Sequence, residues 1–100
     1  MLESALRDSF KSAVAAEFDA AIRIICADQP TIWMRIDHGH ILVEQSDGSR
    51  AADLTLYFDD EASAVDLLTG KADPIRAFMA HEFRSDGYLV WVFTVLSMFR

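Results

Sequence analysis

Positive charge, cysteine and glycine are all scarce in this chain, and each scarcity removes a class of function. Nine lysines and arginines stand against sixteen acids in 100 residues, a net charge of −7. Nucleic acids and anionic membranes are usually held through clustered Lys and Arg, and here the basic residues are scattered, so neither is expected as a partner. The single cysteine, Cys26, cannot close an internal disulfide, which favours a reducing, cytoplasmic setting. It lies in an apolar run, where a buried, inert thiol is the ordinary outcome. With four glycines in all, each already placed to make a turn, there is no glycine-rich phosphate loop. The longest uncharged apolar run, Tyr88–Phe99, falls short of the roughly 20 residues a helix needs to cross a bilayer, so no stable membrane insertion is expected. The opening MLESALRDSF has no basic segment followed by an apolar one, and no secretory signal is expected either.

Apolar side chains, in contrast, are abundant. They make up 52% of the chain without counting glycine, above the usual range of about 45–50% that includes it. A chain of this length suits one domain, 1–100, and carries more apolar surface than a solid core of that size requires. The surplus is available for a ligand, a partner or a membrane.

Periodicity divides the chain. Leu6, Phe10, Val14 and Phe18 recur every four residues among charged neighbours, which predicts an amphipathic helix. From Ala20 the period becomes two. Ile22, Ile24 and Cys26 share a face; after a turn at Asp28-Gln29-Pro30, so do Ile32, Met34 and Ile36. His38-Gly39 turns into a third strand, Ile41–Gln45, and Ser46–Ser49 into a fourth, Ala52–Phe58. Four strands with short connections read as an antiparallel meander with one apolar and one mixed face. On the mixed face Ile25, Trp33, Leu42 and Tyr57 stand among Arg23, Arg35 and Glu44, and their clustering would favour a homodimer through the open sheet face.

The second half is punctuated more sharply. Asp59-Asp60-Glu61 suits a helix N-terminus, and Gly70 suits a helix stop. Asp73-Pro74 caps and begins a second short helix, from which Ile75, Phe78 and Met79 are expected to form one apolar wall. Phe83–Asp86 reads as a fifth strand. The last segment, YLVWVFTVLSMF, fits helix and strand patterns alike.

Little here resembles catalytic machinery. Asp37-His38-Gly39-His40 gathers metal-capable side chains, yet Gly39 suits a hairpin turn in which exposed polar residues are ordinary, and no metal site is assigned. There is no GxSxG elbow, and no nucleophile can be paired with a base.

The order of elements and the residues at their joints resemble the sterol carrier protein type-two, or sterol-transfer, family. The likeness lies in Ala52-Asp53-Leu54-Thr55-Leu56, then Leu67-Leu68-Thr69-Gly70-Lys71, Asp73-Pro74 and Ala77-Phe78-Met79, with Arg84, Gly87, Leu96 and Phe99. The first fifty residues agree only in layout. The pattern breaks where the family usually has Gly then Lys: here stand His81 and Glu82. Histidine is among the few side chains that tolerate positive φ, so the turn can survive. The chain also ends in Met98-Phe99-Arg100, not in a peroxisomal signal.

The resemblance implies an α+β fold, a five-stranded and mainly antiparallel sheet covered on one face by helices and enclosing an apolar tunnel. It makes the last segment a helix. It further implies a non-enzymatic, cofactor-free carrier of a hydrophobic ligand such as a fatty acid, fatty acyl chain, sterol or isoprenoid-like lipid. Leu54, Leu56, Leu68, Ile75, Phe78, Met79, Val92, Leu96 and Phe99 are the expected ligand-binding wall, with His81 and Glu82 near its mouth. The alternative is an accessory or dimerisation module of a lipid- or quinone-handling pathway with a vestigial cavity. A small hydrolase ranks last.

Overall fold

The computed structural model of the chain describes residues 1–46 and 49–100, so the turn expected at Ser46–Ser49 lies partly outside the described residues. The elements run α1 (Leu2–Ser9), β1 (Asp19–Cys26), β2 (Thr31–Asp37), β3 (His40–Ser46), β4 (Leu54–Phe58), α2 (Glu61–Leu68), α3 (Pro74–Met79), β5 (Phe83–Asp86) and α4 (Leu89–Ser97). All five expected strands form, and the ambiguous last segment is a helix, as the resemblance implied.

The sheet order is β3-β2-β1-β4-β5. The first three strands are the expected antiparallel meander. The fourth corrects it: β4 lies beside β1 in parallel, with Ile22 opposite Leu54 and Ile24 opposite Leu56. Parallel neighbours cannot be joined by a hairpin. The chain therefore returns from β3 across the sheet, and residues 50 and 51 are pinned to the open face. Trp33 Nε1 donates to the Ala51 carbonyl at 3.1 Å, the Arg50 guanidinium lies 3.7 Å from the centre of the Trp33 ring, and Arg23 donates to the Arg50 carbonyl. At the end of this strap Asp53 locks the parallel pair. Its N–H donates to the Ala21 carbonyl at 2.8 Å, and its carboxylate accepts from the Ala21 N–H at 2.9 Å. Strand β5 completes the sheet antiparallel to β4.

The period-two faces are those expected. Ile22, Ile24, Cys26, Ile32, Met34, Ile36, Leu54, Leu56 and Phe58 are buried under the helices. They meet Leu2 and Leu6 from α1, Ala64, Leu67 and Leu68 from α2, and Val92, Val95 and Leu96 from α4.

The predicted N-terminal helix is cut short at Ser9, and Phe10 is extended (φ −62°, ψ 130°). A spacing of four advances about 40° per step on a helix of 3.6 residues per turn, so Leu6 and Phe18 would sit far apart around one cylinder. Breaking the helix lets Phe10 pack on Phe99 (5.6 Å between ring centres) and lets the Lys11 N–H reach the Met98 carbonyl at 2.7 Å. Phe18 then meets Trp91 edge-on, and Val14 is left exposed.

The helix ends follow the sequence closely. Asp60 caps α2 by accepting from the Ser63 N–H at 2.7 Å, and this bond holds its carboxyl below the usual carboxylate range. Asp73 caps α3 through the N–H groups of Ile75 and Arg76. His81 takes φ +58°, the conformation expected of the histidine that stands where the family pattern has glycine. Gly87 takes φ +129°, and a Cβ there would come within 2.7 Å of Leu54 Cδ1. It is the hinge between β5 and α4 and can accept no side chain without strain and overlap. Gly87→Ala is accordingly expected to cost about 2 kcal/mol or more in chemical denaturation. An unchanged midpoint would contradict this packing.

Candidate functional site

Helix α3 is only six residues long, and its inward face is set by Ala77, which is buried, and by Phe78, whose ring lies 5.8 Å from Phe83 and 6.1 Å from Phe93. Ile75 and Met79 each stand two residues from Ala77, about 200° around a helix. They therefore point outward, with Ile75 62% and Met79 74% exposed. The expected wall is thus split: Phe78 turns in, and Ile75 and Met79 turn out.

Helix α4 faces α3 with Phe93, Leu96 and Ser97, and Arg100 follows just beyond the helix end. Together with Pro74 and Ile75 these residues line an open groove of about 440 Å³. Its floor is hydrocarbon and its rim carries the Ser97 hydroxyl and the Arg100 guanidinium. Arg100 is fixed by donating from Nη1 to the Leu67 carbonyl at 2.7 Å, at the C-terminal end of α2, where a cation is favoured.

Six of the nine predicted ligand-binding residues, Leu54, Leu56, Leu68, Val92, Leu96 and Phe99, are at most 1% exposed. They pack tightly against one another between sheet and helices, and a cavity of about 110 Å³ remains beside them, bordered by Phe58, Leu67, Ala77 and Phe83. Of the nine, Ile75 and Leu96 line the groove, and Phe78 touches its Phe93 wall. Met79 lies outside the groove lining. Pro74, Phe93, Ser97 and Arg100 were not predicted. The spacing Phe93–Leu96–Ser97 held the signal, but it becomes readable only once this segment is known to be a helix.

His81 and Glu82 are not at the mouth of this groove. With Tyr57, Phe58 and Arg84 they border a separate cleft of about 160 Å³ beside β4 and β5. The mixed face of the sheet also differs from expectation. Trp33 is buried beneath Arg50, Arg84 lies over the Tyr57 ring, and Leu42 remains half exposed.

Reactive groups lie away from the groove. Burial, and then the charges of Asp28, Glu61 and Asp60, push the Cys26 thiol up to about 11, so it stays protonated at neutral pH. His38 (φ +47°) and Gly39 make the expected turn. His38 Nδ1 lies 2.5 Å from the Asp37 carboxylate, and this contact raises the imidazole and lowers the carboxyl. Asp19 stands with this pair, but all three side chains are exposed, and Asp19 is already engaged by Arg35.

Residues 2–89 match the model of the SCP-2 sterol transfer family. The chain belongs to this family. Solved structures share its fold. A sec-alkylsulfatase, Pisa1 from Pseudomonas sp., superposes with a TM-score of 0.78 at 14% identity over 91% of this chain. The chain spans only 14% of that enzyme. UbiJ-SCP2, a ubiquinone synthesis protein, superposes with a TM-score of 0.73 at 14% identity, covering 97% of this chain and 88% of its own. The apo form of sterol carrier protein 2 from Yarrowia lipolytica gives 0.64 at 19% identity, covering 96% and 87%. At these identities the likeness is one of fold. No curated protein gives a significant sequence match.

This family member has no helix, among the described residues, long and apolar enough to cross a membrane. Its one thiol is expected to alkylate very slowly with iodoacetamide at neutral pH while the protein is folded, and rapidly in urea. Fast native alkylation would contradict the burial of Cys26.

Proposed function

We propose that this chain binds the hydrocarbon part of a lipid, such as a fatty acid, fatty acyl chain or isoprenoid, in the groove between α3 and α4, without catalysis. The observation that carries this reading is the groove itself. At about 440 Å³ it lies within the range of about 300–1,000 Å³ usual for small-molecule sites, and apolar side chains form its floor. Membership of a sterol-transfer family supports the ligand class. A fully buried aliphatic side chain contributes roughly 1.5–3 kcal/mol, and Ile75, largely exposed, collects little of this until something covers it.

A second reading has its own support. Most of the predicted cavity wall is fully buried among its neighbours, and the fold is shared with a ubiquinone synthesis protein. On this reading the chain is an accessory module that pairs with a second copy or another protein through the open sheet face, where Leu42 is 50% exposed. Trp33 is the wrong residue with which to test it, because replacing a side chain pinned by Arg50 and Ala51 would damage the fold.

Two experiments decide between these readings. For lipid binding, titration with a fluorescent fatty acid should give saturable binding. Ile75→Asp should weaken it about tenfold or more, from the loss of roughly 1.5 kcal/mol of apolar contact, with little change in thermal stability. Absence of binding by the delipidated protein would overturn the proposal. For the second reading, light scattering should report a dimer that Leu42→Glu converts to a monomer; a monomer at all concentrations would remove it.

A further inference from the structure

The connections of the sheet diverge at its centre. Strands β1 and β4 lie side by side in parallel, but the chain leaves β1 towards β2 on one side and leaves β4 towards β5 on the other. Outgoing segments that part in this way leave a crevice at the carboxyl ends of the two strands, the usual place for a ligand in sheets with parallel neighbours. The cleft of about 160 Å³ lies at that point, on the far side of β4 from the strap. Its buried and half-buried lining is apolar and aromatic, from Ile25, Tyr57, Phe58 and Phe83. Its exposed lining is charged, from Asp59, His81, Glu82 and Arg84. His81 and Glu82 stand where the family pattern has Gly then Lys, so this part of the lining departs from that pattern.

Elsewhere on the surface opposite charges find one another: Arg7 lies 3.6 Å from Glu3 and Arg50 3.1 Å from Glu44. Around this cleft they do not. Among the described residues, the side chains of Asp59, His81 and Glu82 make neither a hydrogen bond nor an ion pair. Arg84 meets no carboxylate and is held over the Tyr57 ring, 5.5 Å from its centre, directly across the β4–β5 ladder. The backbone that carries these groups is tied. The Ala27 N–H donates to the Phe58 carbonyl at 3.2 Å, and the His81 and Glu82 N–H groups donate to the Phe78 and Ala77 carbonyls at 3.1 and 2.9 Å. A fixed cleft thus presents two carboxylates and a guanidinium whose bonding capacity is left to water. A cation alone would leave Arg84 unmatched, and an anion alone would meet Asp59 and Glu82. A molecule carrying both charges close together satisfies each with charge-assisted hydrogen bonds. The volume equals the share of about five water molecules at about 30 Å³ each, below the roughly 300 Å³ of larger ligand sites, so the occupant is small.

We propose that the cleft at the carboxyl ends of β1 and β4 binds a small zwitterion with an apolar body, of the free amino-acid class. The ammonium group meets Asp59 and Glu82, the carboxylate meets Arg84, and the hydrocarbon side chain covers Ile25 and Phe58. Tyr57 acts as a positioning residue by holding the guanidinium over its ring. The site is separate from the α3–α4 groove and does not rest on the lipid-binding reading.

The test is a nuclear magnetic resonance titration of the full chain with leucine, leucinamide and N-acetylleucine, alongside fatty-acid titration. Leucine should give saturable shifts at the amides of Ala27, Asp59 and Glu82 below about 1 mM. Leucinamide, which lacks the carboxylate, and N-acetylleucine, which lacks the ammonium, should each bind at least about tenfold more weakly. Glu82→Gln and Arg84→Gln alter exposed side chains. Each should weaken leucine binding at least about tenfold while keeping the melting temperature and the fatty-acid affinity. No saturable shift at about 10 mM leucine overturns the site. Leucinamide binding as tightly as leucine makes it a cation site, and N-acetylleucine doing so makes it an anion site; either overturns the zwitterion. So does unchanged leucine affinity in both variants, or shifts centred away from Ala27, Asp59 and Glu82. A wild type that binds leucine here but takes up no fatty acid upholds this site while removing the lipid-binding reading.

Discussion

The parallel pairing of β4 with β1 is the constraint on which the rest of the molecule depends. It brings Leu54 and Leu56 next to Ile22 and Ile24 at the centre of the buried sheet face. It also requires a long return from the far edge, and residues 50 and 51 of that return lie over Trp33 and Arg23 on the opposite face. The strap thus takes one side of the sheet and the helices take the other. Asp53 joins the strap to β1 through both its backbone N–H and its carboxylate. Gly87 fits against the Asp53 carbonyl and Leu54, so the point where α4 departs is fixed by the same junction.

From that junction follows the placement of apolar space. With β1 and β4 side by side, the side chains of α1, α2 and α4 close over the sheet and fill most of the interior. Surplus apolar surface is pushed to the outside, into the seam where short α3 meets α4. A mostly packed interior also suits the energetics of a small domain. An empty cavity of about 300 Å³ would cost on the order of 7 kcal/mol at about 24 cal/mol per Å³, comparable to the whole stability of such a fold. An open groove carries no such penalty, because water occupies it until a ligand does.

Much of this was legible in the sequence, and what was missed has common causes. Strand faces could be read because a period of two leaves no ambiguity once Ile22, Ile24, Ile32, Met34 and Ile36 are aligned. The caps at Asp60 and Asp73 and the turns at His38, Gly70, His81 and Gly87 are local, so the residues alone were informative. Local patterns could not reveal that β4 pairs with β1 in parallel, because pairing across thirty residues leaves no periodic trace. They could not show that Phe10 would leave its helix for Phe99, a partner almost ninety residues away. The direction of α3 was misjudged because Ile75, Phe78 and Met79 look like an inward stripe, whereas small Ala77 marks the side that approaches the sheet. The groove residues Phe93, Ser97 and Arg100 were hidden by a segment so uniformly apolar that its period could not be read.

Whether ligand occupies the outer groove or forces its way between sheet and helices can be measured directly by nuclear magnetic resonance with a spin-labelled fatty acid. Paramagnetic broadening should fall on the Ile75 and Leu96 methyls and the Phe93 ring, and spare Ile22, Ile24 and Leu56. Broadening centred on Ile24 and Leu56, with Ile75 unaffected, would contradict a ligand site in the α3–α4 groove and restore the enclosed tunnel.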